Sequence, residues 1–212
     1  MNSGKSTALL QAAHNYEERG LRVLLAKPRL DTRGASEIYS RLGVTRPTDF
    51  TIGSDEDIYA RFAEERNAIR KESGVEVACL LLDEAQFLSE RQIDDLLRIA
   101  VIEGVPVLAY GIRTDFQTIA FPGSRRLLEV AHSIEELKTI CRCGRKAVFN
   151  ARKIGDRFVF DGDQVAIDTF EDVTYESLCG QCYLEESGGL LNRGRSMVGA
   201  FSYVSAPDAD FT

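Results

Sequence analysis

The chain opens on a glycine-lysine-serine motif, and no other stretch limits its possible folds as strongly. The segment Met1-Asn-Ser-Gly-Lys-Ser-Thr7 contains the closing part of a phosphate-binding loop, G-x-x-x-x-G-K-[S/T]. In such a loop, backbone N–H groups at the start of a helix surround an anion. Lys5 would reach the β- and γ-phosphates of a nucleotide, and the Ser6 hydroxyl would bind Mg²⁺. The predicted phosphate contacts in this segment are Asn2, Ser3, Gly4, Lys5, Ser6 and Thr7.

A motif this short also arises by chance, and the alternative is a surface helix with a fortuitous Gly-Lys-Ser cap. Two features favour the loop: an amphipathic helix predicted for residues 6–19, and an Asp-Glu pair that ends a later apolar strand. The strand that normally precedes the loop is not in the sequence. We therefore interpret Met1 as an internal methionine or a misassigned start, and expect a sheet that lacks one strand and a chain less stable than an extended one.

Composition narrows the class of protein. A length of 212 residues suits one medium domain with a small appendage, and the net charge of −7 argues against a general nucleic-acid surface. No apolar run reaches the ~18–20 residues of a membrane span, and no signal peptide opens the chain. We expect a cytoplasmic protein that binds neither nucleic acid nor membrane.

Strand and helix patterns alternate along the first two thirds of the chain. Apolar strands are predicted at 21–26, 75–82 and 105–110, and helices at 6–19, 55–71 and 90–103, with loops at 34–54 and 111–123. This alternation predicts an α/β fold with a parallel, doubly wound sheet, like that of P-loop nucleotide-binding proteins. From residue 139 the pattern changes to short β-like pieces at 147–150, 157–161 and 164–168.

These patterns divide the chain into three parts. Residues 1–138 are predicted to form the P-loop α/β nucleotide-binding domain. Residues 139–183 are predicted to form a small zinc-ribbon-like β subdomain. Residues 184–212 are rich in Gly, Ser and Asp, show no periodicity, and are predicted to be a flexible tail.

Acidic residues follow the clearest strand directly. Asp83 and Glu84 end the apolar run 75–82, where one carboxylate would hold Mg²⁺ and its neighbour would accept a proton from a hydroxyl nucleophile. The alternative is that the pair only caps the next helix. Arg29, Asp31 and Arg33 follow an earlier strand, and form either a phosphate- and metal-side cluster or a solvated loop.

Four of the five cysteines fall in two close pairs. Cys141 and Cys143 form a C-x-C motif, and Cys179 and Cys182 form a C-x-x-C motif. In a chain without export signals such pairs favour zinc over disulfides, and four thiolates complete a closed, structural tetrahedral site. Free thiols are the alternative. Phe87, Phe116 and Phe121 lie near predicted strand ends, where they either stack on a planar base or belong to the core.

Taken together, these motifs resemble the small, P-loop, zinc-containing thymidine kinases, from Met1 to about Tyr183. No single motif is specific to this family, but the combination of motifs is. The motifs are M-N-S-G-K-S-T-A-L-L-Q at the start, L-D-T-R at 30–33, L-L-D-E-A-Q-F-L at 81–88, Y-G-I-R-T-D-F at 110–116, T-I-C-R-C-G-R-K-A at 139–147 and V-T-Y-E-S-L-C at 173–179.

The resemblance implies a reaction and roles for individual residues. The γ-phosphoryl group of ATP would pass to the 5′-hydroxyl of thymidine with Mg²⁺ present, and Glu84 would be the general base. Asp83, Gln86 and Arg33 would join the phosphate contacts, and Asp31 would support the metal beside Ser6. Residues 163–175 look like the family's lasso-like loop over the nucleoside. The implied thymidine contacts are Met1, Phe87, Phe116, Phe121 and Tyr175, and the implied structural zinc ligands are Cys141, Cys143, Cys179 and Cys182.

Family members are commonly tetrameric and inhibited by thymidine triphosphate, so the resemblance implies a homotetramer with that feedback. Two other classes of protein are alternatives to a kinase. A nucleic-acid motor would need two large ATPase lobes and a basic track, which 212 acidic residues do not supply. A non-catalytic nucleotide-binding regulator with a structural zinc lobe remains as the alternative.

Overall fold

A computed structural model of the protein describes residues 3–29, 36–162, 164, 173–191 and 195–196. Within these ranges, no helix combines the length and the apolar character needed to cross a membrane. The first part of the chain contains helices α1 (Lys5–Glu17), α2 (Ile58–Ser73), α3 (Glu90–Ile102) and α4 (Pro122–Val130). Its strands are β1 (Arg22–Pro28), β2 (Glu37–Tyr39), β3 (Thr45–Pro47), β4 (Phe50–Ile52), β5 (Val77–Leu82) and β6 (Val107–Ala109).

The central sheet is parallel, in the order β4-β1-β5-β6. Alternate side chains of β1 and β5 face opposite sides, and both sides are buried. Leu24 and Leu80 pack with α2 and α3, whereas Leu25 and Leu81 pack with α1. The predicted α/β architecture, with a parallel sheet covered on both faces, is confirmed.

Local sequence explains where the long helices begin and end. The Asp57 side chain caps α2 by accepting a hydrogen bond from the Ala60 N–H at 2.8 Å, and Gly74 ends that helix in the left-handed conformation. Ser89 and Gln92 form a reciprocal capping box at the start of α3. These capping interactions agree with the predicted helices at 55–71 and 90–103.

Two predicted loops were wrong in part. Residues 34–54 were predicted to be a loop, yet they contain the antiparallel pair β2–β3 and the edge strand β4. Residues 50–52 are too short a run to give a periodic signal and, unlike β6, they do not lie in a longer apolar stretch, although Phe50 and Ile52 are buried on either side of a half-buried Thr51. The predicted loop 111–123 ends early, because Pro122 begins α4.

The described part of the chain from residue 139 onwards contains small sheets in the region of the paired cysteines. Its elements are β7 (Thr139–Ile140), β8 (Lys146–Ala147), β9 (Phe149–Ile154), β10 (Arg157–Val159), β11 (Val173–Leu178), α5 (Gly180–Glu186), β12 (Leu190–Leu191) and β13 (Arg195–Ser196). Strands β10-β9-β11 form an antiparallel sheet. Strand β11 and helix α5 were not predicted. Helix α5 and the β12–β13 pair extend into residues predicted as a flexible tail, while most of the predicted piece 164–168 lies outside the described residues.

Candidate active site

The start of α1 and the end of β5 meet at one edge of the central sheet. The Ser6 hydroxyl donates a hydrogen bond to Asp83 Oδ2 at 3.0 Å. Asp83 follows β5 directly, and its backbone N–H donates to the Ala26 carbonyl of β1 at 3.0 Å. The sheet order changes direction between β1 and β5, and such a switch point is where ligands bind in open α/β sheets. The two predicted halves of the phosphate site therefore lie side by side.

The N-terminus of α1 suits an anion. Gly4 is the N-cap, adopts the left-handed conformation with φ of 74°, and has no side chain to occupy the first N–H groups. The first turn contains no acidic residue. A Cβ at Gly4 would meet no atom within 4 Å, so only the backbone conformation favours glycine there. These features leave the helix N-terminus available to a phosphate group.

Asp83 is electrostatically unusual. Its side chain is buried, and burial raises the pKa of its carboxyl group, as does the charge of Glu84. Hydrogen bonds from Ser6 and the Glu84 N–H, together with the positive charge of Lys5, partly offset this effect. The positive charge of Lys5 is thus felt by the Asp83 carboxyl group.

The spacing of the two oxygen atoms fits Mg²⁺. In an octahedral site with Mg–O distances of about 2.1 Å, neighbouring oxygens lie about 3.0 Å apart. Ser6 Oγ and Asp83 Oδ2 are 3.0 Å apart. A cation there would also relieve the cost of burying the carboxylate, so these two residues are a suitable pair of ligands.

Glu84 is held in an uncommon backbone conformation. Its φ of 52° lies in the left-handed region, between β5 and a 3-10 turn (Ala85–Phe87). Such strain in a non-glycine residue is frequent at functional sites. The Gln86 side chain donates from Nε2 to Glu84 Oε2, and its Oε1 accepts a hydrogen bond from the Ile112 N–H at 3.2 Å. Glu84 is therefore oriented by a fixed neighbour.

Two glycines permit this close packing. A Cβ at Gly111 would lie 2.8 Å from Gln86 Oε1. A Cβ at Gly123, in α4, would lie 2.5 Å from the Leu88 carbonyl oxygen and 2.7 Å from that of Ala85. Gln86 is only 1% exposed, so in this arrangement its side chain acts on Glu84, and its predicted contact with phosphate stays a prediction.

The predicted nucleoside contacts fall into two aromatic groups. Phe87 and Phe121 meet edge to face, with ring centroids 5.5 Å apart. Phe116 is 1% exposed, and the Arg152 guanidinium covers its ring at 3.7 Å from the centroid. Tyr175, on β11, accepts a hydrogen bond from Arg152 Nε at 3.3 Å. Their role in binding thymidine stays a prediction, and Phe116 presents no open face.

A cavity of about 590 Å³ opens beside the second group. It lies between the loop that carries Asp115 and Gln117, the start of α4 at Pro122, and the segment that includes Phe160 and Gln164. Asp115 shapes this loop, because its Oδ1 accepts hydrogen bonds from the N–H groups of Gln117 and Ile119, both at 2.8 Å.

The four paired cysteines come together as predicted. The sulfur atoms of Cys141, Cys143, Cys179 and Cys182 all lie within 4.8 Å of one another. A tetrahedron with Zn–S distances of about 2.3 Å separates its sulfurs by about 3.8 Å, so a small contraction would complete the site. Cys79 lies apart in β5, packed in the core beside α1. The donor set suits a structural zinc ion.

Hydrogen bonds already favour thiolates in this cluster. Burial alone would raise the pKa of Cys141, but hydrogen bonds from the backbone of Cys143 and Cys179 lower it to about 6. Burial and the neighbouring cysteines raise the pKa of Cys182 to about 12. Cys141 therefore loses its proton more readily than Cys182, and a divalent cation would displace the protons that remain on the cluster.

Several predicted site residues lie outside the described residues: Met1, Asn2, Asp31, Arg33 and the lasso positions 163 and 165–172. Ser3 and Thr7 are described. Thr7 Oγ1 lies 2.6 Å from Ser40 Oγ of the β2–β3 connection, so its hydroxyl is engaged beside the loop. Arg29, exposed at the end of β1, donates its N–H to the Ile52 carbonyl at 2.7 Å.

Arg152, Gly111 and Gly123 are not among the predicted site residues. Nothing in the local pattern distinguishes Arg152 from the other arginines of its region. Gly111 directly follows the predicted strand 105–110 and Gly123 follows Pro122, and a glycine in such a place signals close backbone approach.

Comparison with known proteins agrees with this geometry. A sequence model of the family described as "Thymidine kinase" matches residues 1–183. The thymidine kinase of Enterobacteria phage T4 is 44% identical over 183 residues, which cover 84% of this chain and 89% of that protein. The thymidine kinase of Ruegeria pomeroyi is 44% identical, with 89% and 91% covered, and that of Idiomarina loihiensis is 45% identical, with 89% and 94% covered.

Proposed function

This chain belongs to the thymidine kinase family, and we propose that it transfers the γ-phosphoryl group of ATP to the 5′-hydroxyl of thymidine to give thymidine monophosphate. The single observation that carries the proposal is the meeting of Ser6 with Asp83, and Glu84 beside them. Phosphoryl transfer asks a protein mainly for positioning and charge stabilisation, and these residues supply both.

The phosphate side of the reaction belongs to the start of α1. The N–H groups of the first turn bind the phosphate oxygens, and Lys5 adds a positive charge close to Asp83. Ser6 and Asp83 would hold Mg²⁺, which would neutralise phosphate charge. Arg33 and Asp31 are proposed to support the phosphate and metal side, and Asn2, Ser3 and Thr7 to line the loop.

Glu84 accepts the proton of the 5′-hydroxyl. A neutral hydroxyl is a weak nucleophile, so a carboxylate within hydrogen-bond reach is needed to take its proton as the new bond forms. The half-buried position of Glu84, one residue after a metal ligand, suits that role. Gln86 holds the carboxylate in one orientation through its hydrogen bond to Oε2.

The nucleoside is proposed to bind next to the aromatic groups. Phe87 lies three residues after Glu84, and its ring meets that of Phe121 edge to face. Phe116 and Tyr175 form the second group, joined by Arg152. Met1 is the remaining proposed contact.

The zinc ion is proposed to be structural. Four cysteine ligands leave no open coordination position, and they join the β7–β8 hairpin to the start of α5. Thiols kept for metal binding are typical of a reducing compartment, which supports a cytoplasmic location. A homotetramer and inhibition by thymidine triphosphate are proposed from the family resemblance.

The alternative, a non-catalytic nucleotide-binding regulator, is not favoured. The matched relatives are named as thymidine kinases, and Glu84, the proposed proton acceptor, directly follows the proposed metal ligand Asp83. The test is incubation of the purified protein with ATP, Mg²⁺ and radiolabelled thymidine, deoxyuridine or deoxycytidine. We expect thymidine monophosphate as the main product. A protein that binds ATP but phosphorylates none of the three nucleosides would refute the proposal.

A further inference from the structure

Arg152 occupies a buried position where three parts of the molecule meet. It lies in the middle of β9, is 5% exposed, and faces the loop that joins β6 to α4. Its guanidinium carbon stands 3.7 Å from the centroid of the Phe116 ring. At that distance the planar cation stacks directly on the aromatic face, an arrangement that an arginine makes better than a lysine.

The same guanidinium reaches β11. Its Nε donates a hydrogen bond to the Tyr175 hydroxyl at 3.3 Å, and its carbon lies 5.8 Å from the Tyr175 ring. Tyr175 also stands opposite Arg152 in the β9–β11 ladder. Arg152 therefore contacts Phe116 and Tyr175 at once, although these residues are 59 positions apart in the sequence.

A third contact involves the chain after β10. Arg152 Nη2 donates to the Gln164 carbonyl at 3.3 Å. Gly162, with φ of 107°, passes close by, and a Cβ there would lie 3.6 Å from Arg152 Nη1. Gln117, next to Phe116, donates from Nε2 to the carbonyls of Phe160 and Gly162 at 3.1 and 3.0 Å. The loop and this segment are thus joined by two side chains.

The arrangement fixes the spacing between the two predicted base contacts. The contacts of Arg152 with Phe116, Tyr175 and Gln164 all lie at the proposed nucleoside end of the site. A planar donor with fixed geometry sets the distance and angle between its partners more tightly than a flexible ammonium does.

We propose that Arg152 is a positioning residue for the nucleoside site, acting through Phe116 and Tyr175 to set the shape that selects the base. This inference rests on the proposed function. The contacts through which Arg152 acts belong to the proposed nucleoside site. Its loss should therefore weaken nucleoside binding and leave ATP binding unchanged.

The test compares Arg152→Gln and Arg152→Lys with Arg157→Gln, an exposed arginine on the neighbouring strand β10. For Arg152→Gln we expect the KM for thymidine and its Kd from calorimetry to rise by about tenfold or more, with the KM for ATP within about twofold. Arg152→Lys should show a similar but smaller rise, since it keeps only the charge. Arg157→Gln should match the wild type.

A second variant separates positioning from general destabilisation. Tyr175→Phe removes the hydroxyl that Arg152 contacts, and in a double-mutant cycle its effect on thymidine Kd should be largely absent once Arg152 is Gln. Additive effects would overturn the inference. So would a folded, zinc-loaded Arg152→Gln protein with wild-type thymidine Kd, or equal losses for thymidine and ATP. A wild-type protein that phosphorylates no nucleoside would instead count against the proposed function.

Discussion

The Ser6 hydroxyl and the Asp83 carboxylate, separated by 77 residues in the sequence, are joined by a hydrogen bond of 3.0 Å. One residue begins α1 and the other follows β5, so this contact brings a helix N-terminus and a strand end to the same edge of the sheet. Together the two side chains supply a suitable pair of ligands for a divalent cation. The catalytic account depends on that meeting.

Replacing Asp83 by Asn tests the metal site. Burial raises the pKa of Asp83, so the folded state holds the proton more tightly than the unfolded chain. The ionised carboxylate therefore lowers stability at neutral pH, and this cost disappears as the pH falls through the folded-state pKa. Without metal, Asp83→Asn should melt at the same temperature as the wild type or higher at pH 7.5, and the difference should shrink at pH 4.

With ATP present, Mg²⁺ should make the wild type melt at a higher temperature than Asp83→Asn. Thermal melts in ATP with Mg²⁺, compared with ATP and chelator, should show a Mg²⁺-dependent rise in Tm for the wild type and little rise for Asp83→Asn. An equal rise in both proteins would show that the metal is held elsewhere.

Gln86→Met tests whether Gln86 orients Glu84 or binds phosphate. Methionine keeps the approximate volume and removes the hydrogen bond to the Glu84 carboxylate. A hydrogen bond to a charged group is worth about 1.5–3 kcal/mol, so kcat should fall by about 10–100-fold with the KM for ATP unchanged. A raised KM for ATP at constant kcat would instead favour direct phosphate contact.

Gly123→Ala tests the packing of α4 on the turn after Glu84. The added methyl group would meet three backbone oxygens at 2.5–3.0 Å, which cannot move independently. Overpacking of this kind costs about 1–3 kcal/mol, read from urea unfolding. Gly180→Ala in α5 is the matched control, because its methyl group would meet only Phe149 at 3.5 Å. Equal losses in the two variants would contradict this packing account.

Cys143→Ser tests the metal cluster. Loss of one of four thiolates should reduce retained zinc in the presence of a chelator, measured by elemental analysis, and lower the Tm. Cys79→Ser is the control, since Cys79 lies in the core of the central sheet. The Cys79→Ser protein should therefore retain zinc like the wild type. Unchanged zinc retention in Cys143→Ser would remove this residue from the ligand set.

The sequence predicted the elements whose pattern is long or strongly apolar. Helices α1, α2 and α3 and strands β1, β5 and β6 were recognised because each lies in a periodic or apolar run of six or more residues. The three-residue strand β4 was missed, since its pairing with β1 depends on distant residues. The cysteine cluster was predictable because its ligand types and spacing are specific.

The shape of the site was less predictable than its chemistry. Ser6, Asp83 and Glu84 follow from motifs, but the stacking of Arg152 on Phe116 joins positions 36 residues apart through a loop of irregular structure. Likewise the burial of Gln86 depends on Gly111 and Ile112 arriving from the next strand. Such contacts arise only once the sheet has assembled.

Glu84→Gln gives the most direct test of a phosphoryl-transfer centre at this sheet edge. The change keeps the shape of the side chain and one acceptor oxygen for Gln86, but removes its ability to accept a proton. Thymidine phosphorylation and ATP binding by calorimetry are measured on the same samples. We expect kcat to fall by about 10²–10⁴-fold, with the Kd for ATP within about twofold of the wild type. Turnover at the wild-type rate would contradict the assignment of Glu84 as the proton acceptor.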